Sequence, residues 1–188
     1  PDIMQTLLIN FVSSIFNAGA FMTVFPFIVK QIYDGNAFLL SFLMIIFYAG
    51  ATASNFLMIR IMPLKRPGRI FLIMQVSRML ILGIMWFQPS FWIFALACIA
   101  WGLNMGVTMT LARTIVQESA PEEYRARIMS VYSLGLLGSA PIGALMLGRI
   151  VESFGTLNAL IPAIFISIAL FLYGVLFTGV YRYRSPAK

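Results

Sequence analysis

Apolar residues run almost unbroken through six stretches of the chain, at about 5–29, 37–59, 68–87, 90–112, 128–150 and 157–180. Crossing the hydrocarbon core takes roughly 20 apolar residues in a helix, and every run meets that length. The pattern predicts an all-α integral membrane protein with six transmembrane helices. The gaps between runs are short, so neighbouring helices must be antiparallel. Residues 1–188 are expected to form one bundle with no separate soluble domain.

Where polar residues interrupt the runs, their spacing carries information. Asn10, Ser13, Ser14 and Asn17 recur at three- and four-residue steps, which puts them on one face of the first helix. A polar stripe facing lipid is expensive, so this face is expected to meet either a water-filled substrate path or neighbouring helices. Asn55 and Asn104 are single candidates for the same path or for interhelical packing. Phe21, with Phe25 and Phe27, is a candidate aromatic wall. Small residues four apart, at Gly50 and Ser54, Gly102 and Gly106, and Ser139 and Gly143, let helices approach closely where burial from water no longer drives association. Pro141 removes a hydrogen bond in mid-helix and frees the carbonyl of Leu137. Together with Gly138 and Gly143 it predicts a kink, static or mobile.

Charge then sets orientation. Of the Lys and Arg residues, four lie in gap 60–69, three in gap 113–127 and three in the tail after the last run. The alternate gaps hold two, Lys30 and Arg149. The positive-inside rule makes the basic end cytoplasmic and brings both termini to that side. A net charge of +7 would suggest nucleic acid in a soluble chain, but here the loop bias accounts for it and no nucleic acid is expected. The chain is 61% hydrophobic and 10% charged, against about 25% charged in soluble domains, so its main partner is the lipid bilayer.

Two charged features stand apart. Glu118, Glu122, Glu123, Arg125 and Arg127 crowd together just before the fifth run. Ser119 and Glu122 fit a capping box there, and Glu123 and Arg127 are spaced to pair on one helix face. Arg78 lies nine residues beyond Arg69, about 14 Å deep at 1.5 Å per residue. A charge at that depth needs a partner. Helix carbonyls, a group on another six-helix half or a substrate are the choices open to it.

Chemistry is constrained mainly by what is missing. With no histidine and one cysteine, Cys98, inside an apolar run, neither an internal disulfide nor a Cys/His metal centre is available. No cofactor or metal is expected. The acids at 2, 34, 118, 122, 123 and 152 fall at run ends or in loops, and no H-E-x-x-H is present, so an intramembrane enzyme is not expected. The first run is too long for a signal peptide and lacks its basic region and cleavage site. Beginning at Pro1 rather than Met, the chain is expected to continue upstream.

The cytoplasmic P-x-x-x-R-x-R-x-M-S, formed by Pro121, Arg125, Arg127, Met129 and Ser130, precedes G-x-x-x-x-P-x-G in the next run. This pairing resembles the major facilitator superfamily, and more narrowly its bacterial siderophore and multidrug exporters. The loop Arg60–Arg69 keeps Lys65, Gly68 and Arg69 of that family's G-x-x-x-D-[RK]-x-x-G-[RK] loop. It has Arg60 and Leu64 where the first glycine and the aspartate belong, as in a degenerate second copy. The resemblance implies the C-terminal six-helix half of a transporter of the bacterial inner membrane, with a small-molecule substrate. The other half would be an N-terminal six-helix unit, in the same or a separate chain, or a homodimer mate. It further implies that the first, second, fourth and fifth helices line the path, with the third and sixth outside. Lys65, Gly68, Arg69, Arg113, Arg125 and Arg127 would then form a cytoplasmic gate. A non-transporting six-span assembly or sensor subunit is the competing reading.

Overall fold

In a computed structural model of the chain, which describes residues 2–186, six helices are long and apolar enough to cross a membrane. They are α1 (Ile3–Gln31), α2 (Ala37–Ile61), α3 (Pro67–Trp86), α4 (Phe91–Ser119), α5 (Glu122–Phe154) and α6 (Asn158–Leu176). The shortest, at 19 residues, is about 28 Å long, close to the ~30 Å hydrocarbon core. No strand occurs among the described residues. Large side chains such as Phe38, Phe56, Ile59, Leu145, Phe165 and Leu176 are 67–78% exposed, as a lipid-facing surface requires.

Local chemistry explains most helix ends. The Asn36 side chain accepts the Leu39 N–H at 3.0 Å and caps α2. Pro67 opens α3, where its missing N–H costs nothing. Gly155, with φ at 88°, terminates α5 in a conformation that only glycine adopts easily. Inside α1 the turn Ala20–Val24 is π-helical. Pro26 follows it; in a regular helix its ring would meet the Met22 carbonyl, and the widened turn relieves that clash.

Two sequence expectations are corrected at the α4–α5 junction. The fourth helix continues to Ser119, well past the apolar run that was taken to end near 112. The Ser119–Glu122 capping box does not form: Ser119 is the last residue of α4 and its hydroxyl has no partner. Glu122–Tyr124 is instead a 3-10 turn with Pro121 before it and no side-chain cap. The reason is that an apolar run measures lipid contact, whereas backbone hydrogen bonding continues until something forbids it. Pro121 forbids it by forcing Ala120 into an extended conformation. At the other extreme, α6 stops at Leu176, and Val180–Arg182 forms a separate 3-10 turn.

The helices pack as pairs, α1 on α5 and α2 on α4, with α3 against α4 and α6. Small residues make both pairings possible. A Cβ on Gly102 would overlap the Phe47 carbonyl oxygen, one on Gly50 would crowd the Ile99 carbonyl, and one on Gly106 would strike Ser54 Oγ. These four small residues therefore form one α2–α4 seam. Gly143 plays the same part between α5 and α1, where a Cβ would strike the Ile15 carbonyl. Gly138 has open space beside it. The α-helical part of α5 (Arg125–Phe154) runs uninterrupted through Pro141, which is exposed.

Two apolar clusters fill the bundle. One gathers Phe25, Phe47, Leu82, Phe94, Trp101 and Leu147, and the other gathers Ile9, Met58, Phe71, Leu111, Tyr132 and Leu170. Between them lies a layer of buried polar side chains. On α1 it is Asn10 and Ser13, on α3 Gln75 and Arg78, on α4 Asn104 and Thr108, and on α5 Ser139. Contacts between connections mark the two ends. Thr156 donates to Gln31 Oε1 and Tyr33 Oη donates to the Pro89 carbonyl at 2.6 Å at one end. At the other, basic end, the Arg69 guanidinium lies 5.7 Å from the Tyr181 ring centre, and Glu118 accepts from Ser185 at 2.8 Å.

Candidate functional site: a polar cavity in the middle of the bundle

A cavity of about 210 Å³ opens at the level of the polar layer. The face of α1 supplies half of the lining, with Asn10, Ser13, Ser14, Asn17 and Phe21 all bordering the space. The three- and four-residue steps noted in the sequence are thus one continuous wall. Asn17 is held by the Trp101 indole, whose Nε1 donates to Asn17 Oδ1 at 2.7 Å. Phe21 stacks on Phe47 with ring centres 4.3 Å apart and meets Trp101 edge-on at 5.7 Å. Such ring pairs fix orientation as well as bury area, so the aromatic end of the cavity is preorganised.

Helices α2, α4 and α5 contribute one to three residues each. Tyr48 comes from α2, Met105, Thr108 and Met109 from α4, and Leu136 and Ser139 from α5. The sequence reading had not singled these out as path residues. Thr108 could have been found, since it stands one turn from Asn104 on the same helix face. Tyr48 and the methionines carried no signal in a chain so rich in aromatic residues and methionine.

From α3 a single side chain, Arg78, reaches the cavity. It is 4% exposed, and its Nη1 donates to Ser13 Oγ. Ser13 Oγ in turn donates to Gln75 Oε1 at 3.3 Å. Gln75 Nε2 and Arg78 Nε are buried without partners.

A second, larger space of about 780 Å³ lies toward the basic end and shares Met109 and Leu136 with the first. Asn55, Arg113, Glu122 and Arg125 border it, and Thr110 Oγ1 donates to Asn55 Oδ1 at 3.1 Å. The two spaces form one concave face, a narrow polar chamber leading to a wide charged mouth.

The sequence-predicted residues therefore separate into groups. The α1 stripe and Arg78 meet in the chamber, while Asn55, Arg113 and Arg125 meet at the mouth. Asn104 lies between α4 and α3, its Nδ2 donating to the Met74 carbonyl at 2.8 Å. Gly68 and Arg69 pack against the C-terminal segment, through Val180 and Tyr181. Lys65 and Arg127 are exposed. Gly138 borders a third, apolar groove between α1 and α5, lined by Leu7, Phe11, Leu134 and Ile142. No group of His, Cys, Asp or Glu able to hold a metal occurs among the described residues.

A search of curated proteins found no match. A family model, the Major Facilitator Superfamily, matches residues 7–188. That match reaches all six membrane helices and agrees with the all-α architecture. This integral membrane chain belongs to the Major Facilitator Superfamily, a family of membrane transporters.

Proposed function

We propose that this chain is one six-helix half of a secondary active transporter that exports a small organic compound by alternating access. The observation that carries the reading is the concave face. A chamber lined mainly by α1, α2, α4 and α5, with Arg78 added from α3, stands midway along membrane-length helices and runs into a charged mouth at one end. Transporters of this design hold substrate between two bodies that rock about a midplane site. A face of this kind is half of such a site. The second body is an N-terminal six-helix half, in the same or a separate chain, or a second copy. The resemblance of the arginine motif Pro121–Ser130 supports a drug- or siderophore-like substrate, outward direction and a bacterial inner membrane, and the Lys and Arg bias supports an orientation with both termini cytoplasmic.

Reconstitution tests the reading. Purified residues 1–188 in liposomes are expected to transport neither fluorescent dyes nor siderophores as a monomer. Transport is expected only when the other half is supplied or a homodimer forms, with oligomeric state read by cross-linking in the same vesicles. Saturable transport by a demonstrated monomer defeats the half-transporter reading.

Orientation is tested separately. In a Cys98→Ser background, cysteines replacing the exposed Lys65 or Glu122 are expected to be labelled only from the cytoplasmic side. Cysteines at Asp34 or Gln88, also exposed, should react from outside. Outside labelling at Lys65 reverses the topology.

A further inference from the structure

Arg78 is the only buried charged side chain among the described residues. It sits at mid-membrane depth, where a lone charge is costly and is retained when it faces a partner or an aqueous path. The acids of the sequence stand at 2, 34, 118, 122, 123 and 152, none of them in the middle of a helix that packs here. Among the described residues the guanidinium meets one hydrogen-bond partner, the neutral Ser13 hydroxyl, and Nε has none. A guanidinium offers five N–H donors in a fixed plane, so most of its capacity is unspent at the edge of a cavity.

We propose that Arg78 is an anion subsite in the transport path, taking a carboxylate or similar oxyanion carried by the substrate. Ser13 and Gln75 position it: the Ser13 hydroxyl accepts from Arg78 while donating to Gln75, which holds the arginine head toward the chamber. The planar fork of the guanidinium matches an oxyanion, and charge-assisted bonds of this kind are about twice as strong as neutral ones. Phe21, Tyr48 and Met105 line the same chamber and receive an apolar body. The substrate class is therefore an organic acid with an apolar or aromatic body. This rests on the transporter reading, but binding can be measured apart from transport.

The test uses the full-length protein in detergent, with Met105→Cys as a reporter in a Cys98→Ser background, alkylated by N-ethylmaleimide. Benzoate at tens of millimolar is expected to slow alkylation, whereas benzamide, similar in shape and uncharged, leaves the rate unchanged. Arg78→Gln is expected to weaken the benzoate effect about tenfold or more, and Arg78→Lys by less, since a point charge remains. If Arg78→Gln does not fold, the benzoate–benzamide contrast and the Lys variant decide. Equal protection by benzamide, or none by benzoate, overturns the subsite; the latter is the outcome if an acid from another helix already neutralises Arg78. Inorganic phosphate, lacking an apolar body, should protect weakly, and equal protection by it overturns the organic-acid assignment. Transport of cationic dyes without carboxylate protection sinks the subsite and leaves the transporter reading intact. Carboxylate protection in a full-length protein that transports nothing supports the subsite and sinks the transporter reading.

Discussion

Replacing Gly102 by alanine is expected to lower the melting temperature of the purified protein by about 5–10 °C, and replacing it by valine to abolish the folded species. The added Cβ at this position meets the Phe47 carbonyl oxygen, a backbone atom that cannot rotate away. Relief requires α2 and α4 to move apart along the whole seam of Gly50, Ser54, Gly102 and Gly106. Overpacking costs about 1–3 kcal/mol when side chains can yield, and a chain of this length loses roughly 2–4 °C per kcal/mol. Helices in lipid are held by close packing rather than by burial from water, so separation is not offset by hydrophobic gain. Gly138→Ala is the control, because nothing lies within 4 Å of a Cβ there. Its melting temperature should match the wild type. Size-exclusion traces after a temperature series give both numbers. A Gly102→Ala protein that melts with the wild type removes the seam from the account.

Neutralising Arg125 is expected to lower transport by the full-length protein about tenfold or more, while Arg127→Gln changes it little. Arg125 borders the charged mouth and its Nε is buried without a partner, whereas Arg127 points to the exposed side. As a proposed gate cation, Arg125 donates to carbonyl or carboxylate partners in the state that closes the mouth and releases them in this one. One charge-assisted hydrogen bond contributes about 1.5–3 kcal/mol, enough to shift a two-state equilibrium by roughly tenfold to a hundredfold. Membrane abundance should stay near wild type, since the Arg125 Nε has no partner in this state whose loss would cost stability. The measurement is initial transport rate against abundance on the same membranes. If Arg125→Gln disappears from the membrane, the residue serves insertion rather than gating. If Arg127→Gln is the more damaging change, the gate has been assigned to the wrong arginine.

The expected all-α bundle and the α1 stripe were both legible in the chain because the bilayer imposes them residue by residue. Lipid tolerates neither unpaired backbone groups nor scattered polar side chains, so six apolar runs must be helices and the Asn10–Asn17 repeat must share a face. The small-residue spacing in α2, α4 and α5 announced close packing for the same reason. Which helices those residues would join was not legible. That Gly102 meets Phe47, and Gly143 meets Ile15, depends on the rotation of each helix about its axis, set jointly by all its neighbours. The same rotation turns Asn104 toward Met74 and sends Arg78, from a helix expected to stand outside, into the chamber. Helix ends show the limit most clearly. Hydropathy marked where α4 leaves the apolar run, but the backbone of α4 continued to Ser119 because only Pro121, and not water, stops its hydrogen bonding. Hydrophobic patterning thus determined which segments enter the membrane. The site itself was decided by the angles at which those segments face one another, since a chamber exists only where side chains from five helices converge.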